Sequence, residues 1–185
     1  MPSDNTIHVA IELSASSWLI AIRLLGAEKS RLQRLEGGDT TALLALLAEV
    51  QSRDSTKLGR SMDIACCFEA GRDGFWLQRL LAAHGIAAHV PEPTSILVNR
   101  RARRAKTDRL DAEGMLRVLA AWLGGDRQVC SMVRVPTPED EDSGGRTGNA
   151  SPWYKKSHAS RTALRRFCLP RAFGEGRLCA RGGAI

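Results

Sequence analysis

Thr6-Ile7-His8-Val9-Ala10-Ile11-Glu12-Leu13 alternates strictly between apolar and other residues. In an extended chain successive side chains point to opposite faces, so Ile7, Val9, Ile11 and Leu13 fall on one side and His8, Ala10 and Glu12 on the other. The pattern predicts a strand with Glu12 near its end. After the polar turn Ser14-Ala15-Ser16-Ser17, a second apolar run from Trp18 to Leu25 predicts another strand. Gly26-Ala27-Glu28-Lys29 is a tight connection to a short third strand over 31–35. Three strands joined by short links predict an antiparallel meander.

Beyond the meander the period changes. Gly37-Gly38-Asp39 supplies a break and an N-cap, and Leu43, Leu44, Leu46, Leu47 and Val50 spread over one face of a helix expected over about 40–52. Met62 to Phe68 is a nearly continuous apolar run ending at Glu69, the pattern of a strand buried on both faces. Phe75, Leu77, Leu80 and Leu81 mark a second helix closing at His84-Gly85, where glycine is the residue expected just past the end. Ile86 to Val90 is a short strand, stopped by Pro91 and Pro93. A final helix is expected over 107–123, with Leu110, Met115, Leu116, Leu119 and Trp122 as its apolar positions and Gly124-Gly125 as its end. The order β-β-β-α-β-α-β-α predicts an α/β protein with a mixed sheet of the ribonuclease H-like type, followed by an irregular C-terminal tail.

The formal charge of +7 is distributed unevenly. Residues 143–185 hold nine Lys/Arg against the single acid Glu175, which leaves 18 bases and 19 acids in residues 1–142. Within that near-neutral body one cluster is strongly cationic: Arg100, Arg101, Arg103, Arg104, Lys106 and Arg109. It runs directly into Asp108 and Asp111. The plain reading of these acids is an N-cap and a first-turn carboxylate favoured by the helix dipole, and of the arginines a solvated loop. The functional reading is that the cations hold a nucleic-acid backbone and the carboxylates place a hard metal ion.

Two further acids favour the second reading. Glu12 ends the first strand and Glu69 the fourth, and in a sheet where those strands are neighbours both reach one edge. Residues three apart on a helix lie on adjacent faces, so Asp108 and Asp111 can enter the same cleft. Four carboxylates packed together repel one another unless cations neutralise them, and such a set suits two Mg²⁺ ions acting on a phosphodiester.

Phe68-Glu69-Ala70-Gly71-x-x-Gly, Leu81-x-x-His84-Gly85-Ile86, Val90-Pro91 and above all Lys106-Thr107-Asp108-Arg109-Leu110-Asp111-Ala112 resemble the N-terminal DEDD domain of bacterial insertion-sequence transposases related to the Piv DNA invertases. The resemblance covers about residues 6–142. It implies a RuvC-like fold, Mg²⁺ dependence and DNA strand exchange in transposition. It also implies element ends and target DNA as partners, with a guide RNA among them, and homo-oligomers of the full-length proteins. By position Glu69 matches the family's Glu, and Asp108 and Asp111 its last two Asp residues. The chain departs from the pattern at Glu12, where the family has Asp. A longer side chain there bears on Mg²⁺, which tolerates little distortion of its octahedron.

The division expected is a ribonuclease H-like domain over 6–125, a linker or the start of a long helix over 126–142, and a disordered basic tail over 143–185. In the resembled family the acidic segment Pro138-Glu139-Asp140-Glu141-Asp142 leads into a C-terminal domain with a serine nucleophile. Here the sequence turns Arg/Gly-rich without helical or alternating period, as out-of-frame translation of a GC-rich gene would, so the chain reads as truncated. The five cysteines have no C-x-x-C spacing, and adjacent Cys66 and Cys67 read as small buried thiols. Together with the lack of a signal-peptide pattern or long apolar run, they predict a cytoplasmic protein. None of His8, His84, His89 and His158 stands at ligand spacing from a Cys or carboxylate. Trp18, Trp76 and Trp122 read as core. The expected function is metal-dependent DNA cleavage and strand exchange by a transposase catalytic domain. The alternative is a catalytically inactive nucleic-acid-binding remnant, and a third reading is a small basic protein without a site.

Overall fold

The computed structural model describes residues 5–24, 27–69, 75–96 and 108–135. The expected elements form in the expected order: β1 (Thr6–Leu13), β2 (Ser17–Arg23), β3 (Arg31–Glu36), α1 (Thr40–Leu58), β4 (Asp63–Cys67), α2 (Phe75–Ala83), β5 (Ala87–His89) and α3 (Asp108–Leu123), with a 3₁₀ turn at Pro93–Ser95. The five strands make one mixed sheet in the order β3-β2-β1-β4-β5. The first three pair antiparallel, while β4 runs parallel to both β1 and β5. This α/β architecture is compatible with the ribonuclease H-like order anticipated from the elements.

The sheet buries both faces, each for a different reason. Ile7, Val9, Ile11, Trp18, Ile20, Ile22, Ile64, Cys66 and Phe68 pack with Leu43, Leu47 and Val50 of α1 and Leu77 and Leu81 of α2. On the other face Ala10, Ala21, Ala65 and Cys67 meet Ala112, Met115, Leu116 and Leu119 of α3. The side chains there are small, so the helix lies close to the strands. The alternation in β1 thus separates two cores rather than core from solvent, and His8 and Ala10 are as inaccessible as the isoleucines beside them.

Two expectations are corrected here. Helix α1 runs on to Leu58, six residues past the predicted end. Ser52 to Lys57 read as a polar connection, but they contain no breaker. The helix stops only where Gly59 adopts φ 64°, with its N–H bonded back to Ser55 and Thr56 carbonyls. Its start is as expected, with the Asp39 carboxylate accepting from the Ala42 N–H at 2.9 Å. Leu110, assigned to the apolar face of the last helix, is 47% exposed. The sheet-facing stripe of α3 begins instead at Ala112.

His8 stands opposite Arg23 in the β1–β2 register. Burial, and then the Arg23 charge, hold its pKa below the ordinary value of 6.5. His89, half-buried and stacked near Trp122, is lowered by burial and then by Arg127. The folded chain keeps both imidazoles neutral in a range where the unfolded chain protonates them, so the unfolded state binds more protons there. Stability is therefore expected to fall as pH drops below about 6.5. Denaturant midpoints between pH 8 and pH 5 check this, and a His8→Gln variant should show a shallower fall than the native chain.

Candidate active site

Strand register places the two sheet acids. Each β1 residue pairs with the β4 residue 57 positions on, from Thr6 with Asp63 to Ala10 with Cys67. The pairing ends there, so Glu12 and Glu69 each follow the last paired residue of neighbouring strands by two positions. Alternation from Ala10 puts Glu12 on the α3 side of the sheet. Glu12 is half-buried and still inside the β1–β2 pairing, opposite Leu19. Glu69 is exposed, one residue past Phe68, whose N–H donates to the His89 carbonyl at 3.3 Å.

The helix acids come from the first turn of α3. Its buried stripe, Ala112, Met115, Leu116 and Leu119, extended one turn toward the N-terminus, meets Asp108 and Asp111. Four tethers define the path of the helix across the sheet. Asp108 Oδ2 lies 3.9 Å from Arg34 Nη2 on β3. Ser30 Oγ donates to Glu113 Oε1 at 3.4 Å. Cys67 Sγ on β4 donates to the Met115 carbonyl at 3.5 Å. The Trp122 ring sits 5.0 Å from the His89 ring on β5. From Asp108 to Trp122 the helix rises about 21 Å, close to the roughly 19 Å spanned by the four gaps from β3 to β5. Helix α3 therefore packs mainly on β1 and β2 and less on β4, with side-chain contacts reaching Arg34 of β3 at its start and His89 of β5 near its end.

The acids thus come from the ends of two neighbouring strands and from the first turn of α3. Among the described residues, however, no three His, Cys, Asp or Glu side chains converge closely enough to hold a metal ion. Asp108, 65% exposed, turns toward Arg34, and Asp111 is half-buried one position nearer the core stripe.

Arg34 was not singled out as a site residue. Arg34 lies opposite Leu19, which in turn lies opposite Glu12, so all three side chains stand in one row on one face. Its Nη1 donates to Ser17 Oγ at 2.9 Å. Only the register of two strand pairs brings it there, and the pattern of β3 by itself contains no signal for it. Of the predicted nucleic-acid contacts, Arg109 is exposed and its Nε donates to Glu113 Oε1 at 3.1 Å, so part of its guanidinium is held along the helix. Arg100, Arg101, Arg103, Arg104 and Lys106 lie outside the described residues, as do the basic tail and His158.

The other polar residues have local roles. Ser14 Oγ closes the turn after β1 by accepting the Ser17 N–H at 3.2 Å and donating to the Ser17 carbonyl. Cys66 and Cys67 are buried, and burial pushes both thiols far above their ordinary pKa, which removes them as nucleophiles. His84 is exposed at the end of α2. His8 lies toward the start of β1, away from the acid edge. Trp18 is core, whereas Trp122 is half-buried and carries the Arg127 guanidinium 3.6 Å above its ring. Among the described residues no helix is long and apolar enough to cross a membrane.

Over 139 residues the chain is 44% identical to a protein of Sinorhizobium fredii (strain NBRC 101917 / NGR234) named "Putative transposase y4rJ". The alignment takes in 75% of this chain and 35% of that protein, so the chain spans about a third of the curated relative it matches. No family model matches the chain, and no solved structure does.

Proposed function

We propose that this chain is the catalytic part of a DEDD-type transposase, a ribonuclease H-like (RuvC-like) domain that cleaves DNA phosphodiesters in the strand exchange of transposition. The observation that carries the reading is the 44% identity, over 139 residues, to a protein named as a transposase. The strand order β3-β2-β1-β4-β5, with α3 packed on the face opposite α1 and α2, supports the fold assignment.

The site residues proposed are Glu12 and Glu69 from the sheet and Asp108 and Asp111 from α3. Their chemistry suits Mg²⁺: all four offer hard carboxylate oxygens, the ligands such an ion takes. Their placement in the described arrangement is open, with Asp108 directed to Arg34 rather than to the other acids. When bound, the metal supplies a Lewis acid and an activated water at the scissile phosphate. The chain's own part is to bring backbone and acids together. The cluster Arg100, Arg101, Arg103, Arg104 and Lys106 precedes the acids in sequence, and with Arg109 it provides cations for DNA phosphates. Domain limits of 6–125 for the catalytic unit and 126–142 for a linker accompany this reading, as do element-end and target DNA and a guide RNA as partners.

Incubating the full chain with branched and element-end DNA tests the proposal. Strand cleavage that needs Mg²⁺ or Mn²⁺ and stops with EDTA is the expected result. Binding without cleavage at any divalent concentration would overturn the catalytic assignment in favour of a DNA-binding remnant.

Glu12 permits a finer test. Its carboxylate reaches about one bond length beyond that of an aspartate, which an octahedral Mg²⁺ accommodates poorly. Glu12→Asp is expected to tighten Mg²⁺ binding several-fold in isothermal titration. Equal affinity and stoichiometry in the two chains would remove the argument from side-chain length.

A further inference from the structure

We propose that Arg34 is a phosphate-binding residue for the DNA backbone, and that the Asp108 carboxylate competes with the phosphate for its guanidinium. The proposal rests on the DNA-processing reading above and adds to it a residue outside the basic cluster.

Position is the first argument. Arg34, Leu19 and Glu12 are successive partners across β3, β2 and β1, so Arg34 stands about 10 Å from Glu12 on the same face. That distance is about three 3.4 Å steps along the axis of one DNA strand, which suits a phosphate a few nucleotides from the one being cleaved. Orientation is the second. The bond from Nη1 to Ser17 Oγ, between diagonal neighbours on adjacent strands, fixes the guanidinium plane. The side chain is 58% exposed, and of its five N–H donors one is committed to Ser17.

The present occupant is the third argument. A carboxylate offers the fork two oxygens much as a phosphodiester does, and Asp108 Oδ2 lies 3.9 Å from Nη2. Both groups are mostly exposed, and an ion pair of that kind is weak, so a phosphate displaces the carboxylate readily.

A double-mutant cycle in DNA affinity, read by fluorescence anisotropy on the full chain in EDTA, isolates this contact from cleavage. Arg34→Gln is expected to weaken duplex binding about 3- to 10-fold and to reduce the salt slope by about one. Arg34→Lys should fall between the two, because it keeps the charge and loses the fork. Asp108→Asn should tighten binding in the Arg34 chain and do so by a clearly smaller factor in the Arg34→Gln chain. Equal factors in both backgrounds would mean that Asp108 acts only as a distant charge, and would overturn the proposal while leaving the DNA reading intact. Absence of DNA binding by the native chain would overturn both. Circular dichroism melts verify folding, and should Arg34→Gln melt early, Arg34→Lys carries the same test with the same sign.

Discussion

Asp111→Asn is expected to lower Mg²⁺-dependent DNA cleavage by about 10³-fold or more, the equivalent of about 4 kcal/mol of transition-state stabilisation. Asparagine keeps the size of the side chain and one acceptor oxygen but loses the negative charge that a hard cation requires. The cost to the fold is small, because a first-turn acid contributes about 0.3–1 kcal/mol through the helix dipole. A circular dichroism spectrum and melting curve close to those of the native chain should therefore accompany the loss. Asp111 is the more telling of the two helix acids to change. It is half-buried and continues the sheet-facing stripe, whereas Asp108 is mostly exposed and lies 3.9 Å from Arg34. Cleavage within tenfold of native would exclude Asp111 as a ligand.

Phe68→Ala is expected to cost about 3–5 kcal/mol of unfolding free energy, measured by urea or guanidinium titration. Phe68 is fully buried among the residues between the sheet and helices α1 and α2, and it immediately precedes Glu69. Truncation leaves a cavity under the end of β4, and it also loosens the strand end that places Glu69. Phe68→Leu retains most of the volume and should cost distinctly less. A loss below about 1 kcal/mol for the alanine variant would show that the site collapses around the missing ring.

The two expectations depend on different levels of the molecule. Charge at Asp111 matters only if a cation or phosphate comes to the edge, whereas the ring of Phe68 matters to any sequence with this core. Measuring both separates a failed site from a failed fold. A chain that binds DNA, melts normally and does not cut with any divalent ion has kept the architecture and lost the chemistry.

Much of the architecture was readable from local pattern. Period-2 alternation in β1, the continuous apolar run before Glu69 and the glycines at 38, 85 and 125, all with positive φ, mark elements and their ends through nearest-neighbour sterics and burial. The misreadings arose where local signals are degenerate. Ser52 to Lys57 suit a solvent-facing helix as well as a loop, and only Gly59 at φ 64° decides the end. Leu110 suits a helix core by type, yet the crossing of α3 over the sheet turns that position outward and begins the stripe at Ala112.

By itself the sequence determined the element order, the presence of four acids at element ends, and the separation of a near-neutral body from a basic tail. These follow from composition and from periods only a few residues long. The tertiary structure alone decided which segments are neighbours, because the parallel pairing of β1 with β4 brings the strands that lead to Glu12 and Glu69 side by side and α3 packs on the face opposite α1 and α2. It alone brought Arg34 into the row with Glu12, through two successive strand pairings that no short stretch of sequence specifies. The physical reason is the same in each case. Local propensity acts over one turn or one strand, whereas a site is assembled by pairing and packing between segments as far apart as Glu12 and Asp111, whose relative positions are set only when the two cores close.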